Sequence, residues 1–121
     1  MRVWRIDREA ILERLRRWAE EVGKDPSVLA VILFGSFARG DATPMSDADI
    51  LIILSASESP FDERIRRFKP LGLGVSVDVF PLTFEEAKRS LKEGWGMVLP
   101  ALKENIYLYR KDDFKLEDLL F

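Results

Sequence analysis

The sequence predicts an α/β domain of the α+β kind: a small mixed β-sheet flanked by helices. Three observations predict it. Apolar, β-branched runs at Val28–Phe34, Ile50–Leu54 and Val75–Phe80 have the length and composition of strands. Segments with apolar residues at helical spacing lie between and around them, so helix and strand alternate. A length of 121 residues suits a single domain, 1–121, able to bury a real core but not two.

Taken in order, Asp7 to Val22 reads as an amphipathic helix. Ile11, Leu15, Trp18 and Val22, with Leu12 and Ala19 beside them, share one face. Asp7 is the expected N-cap and Gly23 the stop. Glu13 and Arg17 form a favourable i,i+4 pair on the outer face, and Arg14, Arg16 and Arg17 are interleaved with glutamates as on a solvated surface. Lys24–Ser27 turns the chain into Val28–Phe34, apolar throughout and so expected to be buried on both faces. Gly35 ends that strand, Ser36–Gly40 forms a short helical turn, and Asp41–Met45 is a loop. Ser46–Leu54 is the next strand, polar first and apolar after.

Phe61–Phe68 is a short helix, with Ile65 and Phe68 inward and Arg64, Arg66 and Arg67 outward. Val75–Phe80 is a third strand, closed by Pro81. Thr83 caps a helix from Phe84 to about Lys92, with Glu86 placed for a capping box. Gly94-Trp95-Gly96 interrupts, with Trp95 expected in the core or else as a lip over a bound ligand or a contact surface. Trp4 and Trp18 are read as core or helix-packing residues. Met97–Lys103 gives a further helical turn and Asn105–Arg110 a fourth strand. Asp112–Phe121 is a terminal helix or tail, whose apolar residues either pack back or meet a partner.

Composition narrows the chemistry. No histidine or cysteine is present, which excludes ordinary zinc sites, cysteine nucleophiles, disulfides and histidine acid–base catalysis. Nineteen basic against 21 acidic residues give a formal net charge of −2, which argues against a general nucleic-acid binder. The longest uncharged apolar run, Val28–Phe34, is far short of a membrane span, and the N-terminus lacks a signal-peptide pattern. A cytoplasmic location is the expectation.

What remains is carboxylates, hydroxyls, basic side chains and hard cations, and one stretch gathers them. In Gly35-Ser36-Phe37-Ala38-Arg39-Gly40 a glycine follows a buried strand, where a ligand can approach the backbone closely. N–H groups at the start of a helical turn attract an anion. Ser36 adds a hydroxyl donor, Arg39 a guanidinium able to grip phosphate oxygens, and Gly40 lets the chain turn away. The Gly-Lys-Ser/Thr ending of a Walker motif is missing. Then comes Ser46-Asp47-Ala48-Asp49. Residues i and i+2 of a strand share a face, so Asp47 and Asp49 converge. Two carboxylates held together repel unless a cation lies between them, and magnesium bridging carboxylates to substrate phosphates meets that need. Asp78, in an otherwise apolar strand, is the best third carboxylate for a two-ion site.

Gly35-Ser36, Arg39, Gly40 and Ser46-Asp47-Ala48-Asp49, with Asp78 on a later strand, resemble the nucleotidyltransferase superfamily of DNA polymerase beta. The short length is similar to the minimal nucleotidyltransferases, often the antitoxin halves of modules with a HEPN-domain toxin. The resemblance covers roughly residues 28–80. It implies that Gly35, Ser36, Arg39, Gly40 and Ser46 bind a nucleoside triphosphate, ATP above all. Asp47, Asp49 and Asp78 would hold two Mg²⁺ ions, and Asp78 would help deprotonate the attacking hydroxyl. The implied reaction transfers AMP to a hydroxyl, in that branch a tyrosine of the HEPN partner, silencing it. With no separate domain to grip a primer or an aminoglycoside, a partner or a second copy of the chain is expected to supply recognition. Thr43, Pro44 and Met45 are placed to shape acceptor entry. Two other functions compete: a non-catalytic module that neutralises its partner by contact, and a small-molecule nucleotidyltransferase.

Overall fold

The computed structural model describes residues 2–41 and 46–121, the first six of these by backbone alone. Thr43, Pro44, Met45 and the side chain of Trp4 lie outside the described residues.

Helix α1 (Arg2–Val22) begins five residues before the expected start, so Asp7 is interior to the helix and not its cap. Strand β1 (Val28–Phe34) follows, then the short helix α2 (Ser36–Arg39) and strand β2 (Ala48–Leu54). Helix α3 (Phe61–Phe68) connects β2 to β3 (Val77–Thr83). Helices α4 (Phe84–Glu93) and α5 (Val98–Lys103), strand β4 (Asn105–Arg110) and a terminal 3₁₀ turn (Leu116–Leu120) complete the order.

The sheet runs β3-β2-β1-β4. β1 is antiparallel to both β2 and β4, whereas β2 and β3 are parallel, as a helical crossover between them requires. The mixed sheet is therefore as expected. Pro81 does not close β3. It pairs in register with Ile52 and the strand continues to Thr83. β3 is an edge strand, where a missing N–H can be tolerated.

β1 supplies core to both faces, which explains its lack of alternation. Val31 and Leu33 face Ile11, Leu15 and Ala19 of α1, together with Ile50, Ile52, Phe37 and Phe68. Ala30, Ile32 and Phe34 face the opposite layer with Leu51, Ile53 and Leu82, closed by Ala87, Val98, Ala101, Phe114, Leu116 and Leu119. The C-terminal apolar residues thus divide. Phe114, Leu116 and Leu119 pack back, while Leu120 and Phe121 are exposed.

Arg64, expected outward, is buried at 6% exposure. Phe61, Arg64, Ile65 and Phe68 recur at i, i+3, i+4 and i+7, so Arg64 falls on the inward stripe. Its guanidinium binds both carboxylate oxygens of Glu86, which also completes the capping box at Thr83. Trp95 is 45% exposed and so takes the alternative to the core. Among the described residues no helix is long and apolar enough to cross a membrane.

Candidate active site

The acids and the glycine turn meet at one end of the sheet. Phe34 of β1 pairs in register with Asp49 of β2, and Asp49 in turn with Asp78 of β3. These three residues form one row across the sheet, and Gly35 follows its first member. By strand alternation Asp49 shares a face with Leu51 and Ile53, and Asp78 with Phe80 and Leu82. Both carboxylates therefore stand at the open end of the apolar layer that α4 and α5 cover. The Phe34 and Phe80 rings, 6.0 Å apart between centroids, form an apolar floor on that same face.

That floor has an electrostatic consequence. Asp49 is half-buried, and its carboxyl is pushed above the usual carboxylate range first by desolvation, then by the charges of Asp78 and Asp47. Asp47 stands exposed just before β2, within electrostatic reach of Asp49. Ala48 between them is buried and its N–H donates to Ser76. Asp49 thus feels two like charges, Asp78 beside it in register and Asp47 just before the strand, an arrangement that folding alone would not favour.

Gly35 is fitted to this arrangement. Its backbone sits at φ 78°, ψ −158°, a region essentially reserved for glycine. A Cβ there would lie 2.7 Å from Asp49 Oδ2. Gly35→Ala is therefore expected to destabilise the fold by about 1–3 kcal/mol through strain and collision together. Gly72→Ala, at φ 76° with nothing within 4 Å, serves as the comparison because it carries strain alone. Denaturant melts check this. Equal losses for the two variants would remove the collision with Asp49 from the account.

Ser36 opens α2, and its carbonyl accepts from the N–H groups of Gly40 and Asp41 at 3.0 and 3.1 Å. The first N–H groups of a helix have no partner within it, so this turn presents donors at its start. Gly40, left-handed at φ 88°, ends the turn. Ser46 is half-buried just before β2. Arg39 does not stand alone. Its Nε lies 3.2 Å from Asp41 and 3.5 Å from Glu104. Such exposed pairs are worth little and can be exchanged for a phosphate.

Arg8 escaped the reading of the sequence. Its Nη2 donates to the Phe37 carbonyl at 2.7 Å, its guanidinium lies 5.8 Å from the Phe37 ring centroid, and it comes within 3.8 Å of where a Gly40 side chain would begin. It ties α1 to α2 from beneath. The signal was available: position 8 is three residues before Ile11, on the buried face of α1.

Among the described residues no group of three or more Asp or Glu stands close enough to hold an ion unaided. Magnesium fits this site in another way. It typically takes one or two carboxylates plus substrate phosphates instead of a complete protein cage. Asp49 and Asp78, adjacent in register and kept close despite repulsion, supply hard oxygen donors of that kind.

Residues 15–113 match the nucleotidyltransferase domain family. Bifunctional uridylyltransferase/uridylyl-removing enzymes of Burkholderia mallei and Burkholderia thailandensis are 38% identical over 86 residues, covering 65% of this chain and 10% of theirs. The chain thus spans about a tenth of the length of those curated relatives. A structure from Sulfolobus solfataricus described as a candidate nucleotidyltransferase superposes with a TM-score of 0.60 at 25% identity, covering 88% of this chain and 86% of that one. A toxin–antitoxin structure with AMP-PNP shares the fold, with a TM-score of 0.55 at 18% identity over 84% of this chain and 74% of the other. With a family match that takes in α2, β2 and β3, and so the glycine turn and all three acids, the chain belongs to the nucleotidyltransferase domain family.

Proposed function

We propose that this protein is a magnesium-dependent adenylyltransferase that moves AMP from ATP to a hydroxyl of a protein partner, a tyrosine of a HEPN-domain toxin, and so acts as an antitoxin. The observation that carries the chemistry is the row Phe34–Asp49–Asp78, with Gly35 against Asp49 and Asp47 at its mouth. The glycine turn and Ser36 cradle the β- and γ-phosphates, with Arg39, Gly40 and Ser46 around them. Asp47, Asp49 and Asp78 would hold two Mg²⁺ ions, which would supply neutralisation of the charge developing on the phosphates. The acceptor oxygen bonds to the α-phosphorus, the bond from that phosphorus to the bridging oxygen breaks, and pyrophosphate departs with the electron pair. The acceptor proton passes to the Asp78 carboxylate.

The antitoxin reading draws support from the shared fold of the toxin–antitoxin structure with AMP-PNP. The uridylyltransferase relatives favour a second reading, in which UMP is the group transferred. One experiment separates them. The protein is incubated with magnesium, either ATP or UTP, and a HEPN-domain partner, and the intact partner is then weighed by mass spectrometry. The expected result is a mass increase of one or more AMP units, absent with Asp47→Ala. A gain only with UTP would replace the nucleotide. An unmodified partner bound equally well by wild type and Asp47→Ala would leave neutralisation by contact alone.

A further inference from the structure

We propose that Arg8 is a positioning residue for the nucleotide: from α1 it holds the single turn of α2 in the form that receives the triphosphate, and its charge is balanced when the phosphates bind. The proposal rests on the nucleotidyltransferase reading and adds to it a residue outside both the sheet and the glycine turn.

α2 cannot hold its own shape. It is four residues long, Ser36–Arg39, and a helix so short is unstable without tertiary support. Its internal bonds are those of one turn, from the Arg39 and Gly40 N–H groups to the Gly35 and Ser36 carbonyls at 3.0 Å each. Glycine stands at both ends, at φ 78° and 88°, so no side chain stiffens either end. The exposed pairs of Arg39 with Asp41 and Glu104 add little.

Support comes from α1. The Phe37 ring is fully buried, in one cluster with Ile11 and Leu15 of that helix. Arg8 adds a grip on the main chain. Its Nη2 lies 2.7 Å from the Phe37 carbonyl, and its guanidinium 5.8 Å from the ring centroid of the same residue. The hydrogen bond spans 29 residues of sequence, so it fixes the turn against a separate element and not within its own loop. Gly35 and Ser36, whose N–H groups face the phosphates in this reading, immediately precede the gripped residue.

The charge of Arg8 is handled unlike that of several other arginines. Arg17, Arg39, Arg64, Arg66 and Arg67 each lie against a carboxylate. Arg8 forms no ion pair among the described residues, and its Nε, shut away from solvent, has no hydrogen-bond partner. A partly buried cation without a counter-charge and a buried donor without an acceptor both cost stability. For the fold alone, an apolar side chain beside Phe37 would serve as well. A bound triphosphate changes that balance, because it places negative charge at the turn that Arg8 grips, in surroundings less polar than water.

Titration calorimetry with magnesium and a non-hydrolysable ATP analogue provides the test, beside guanidinium melts of the same proteins. Arg8→Met keeps the stem and removes the charge and the donors. It should weaken analogue binding by about tenfold while melting close to wild type. Arg8→Lys keeps the charge and a donor, and should recover most of that loss. Arg14→Met is the control. Arg14 also reaches from α1 to a distant carbonyl, that of Leu73 at 3.4 Å in the link between α3 and β3, and its loss should leave binding unchanged. Unchanged affinity in Arg8→Met overturns the proposal, as does an equal loss in Arg14→Met or an Arg8→Lys protein that binds no better than Arg8→Met. An Arg8→Met protein that does not fold overturns it too, since Arg8 would then be a structural residue. Failure of the underlying reading is seen separately, as a wild-type protein that binds no analogue, and the proposal falls with it.

Discussion

Asp49→Asn is expected to lower nucleotidyl transfer by about a thousandfold or more while leaving the fold as stable as before, or more stable. The two halves of this result come from the same cause. Asp49 is held half-buried over the Phe34–Phe80 floor, with Asp78 beside it and Asp47 near. Desolvation and like charges both disfavour its ionised form. An amide of the same shape removes that cost, so guanidinium melts should show no loss. In the proposed mechanism the charge holds the cations that neutralise the phosphates, so the same change is expected to remove transfer. A structural carboxylate behaves in the opposite way, because its loss leaves hydrogen-bond donors unmatched. A destabilised Asp49→Asn that still transfers nucleotide at the wild-type rate would remove Asp49 from the catalytic set.

Much of this arrangement was legible in the sequence, for physical reasons that differ between elements. β1 and β4 have their expected bounds because an unbroken apolar run and an alternating Ile-Tyr-Leu-Tyr segment each carry an unmistakable period. Thr83 and Glu86 form the capping box because both partners are local, three residues apart. Asp49 and Asp78 are 29 residues apart, by 78 − 49. Their adjacency depends on the parallel register of β2 and β3, which no local pattern states. An aspartate within an apolar strand signals that something unusual is present, but not what lies beside it. The misplacements have causes too. Pro81 continues β3 because β3 is an edge, a fact that only the strand order reveals. The Asp7 cap was displaced because the helix extends further back, to Arg2. Trp95 takes the alternative to the core: between two left-handed glycines it stands 45% exposed and lines a cavity.

Arg64 is the charged residue that the helical stripe turns inward, and Arg64→Ala is expected to destabilise the protein by about 1–3 kcal/mol, a sizeable part of the roughly 5–15 kcal/mol that holds a typical domain together. The guanidinium is 6% exposed and joins three elements. Its Nε donates to the Ser59 carbonyl at 2.9 Å before α3, and Nη1 to the Pro81 carbonyl at 3.0 Å on β3. Nη1 and Nη2 grip Glu86 of α4 at 2.7 and 3.0 Å, a two-pronged pair. Truncation leaves the Pro81 carbonyl and the Glu86 carboxylate without their shared partner. Glu86→Gln should cost less, since an amide can still accept from the Thr83 N–H, although the buried arginine then loses its counter-charge. A double-mutant cycle in guanidinium isolates the coupling between the two. The pair also fixes a pH dependence. Hydrogen bonding to Arg64 is the main cause that holds the Glu86 carboxyl below its ordinary value of 4.5. A lowered carboxylate contributes stability that is present above the unfolded value and lost as pH falls through the folded one. Wild type should therefore lose its advantage over Glu86→Gln on acidification from about pH 5 downward. A gap between the two that stays constant from neutral pH to pH 3 would mean that the Glu86 charge contributes nothing to the fold.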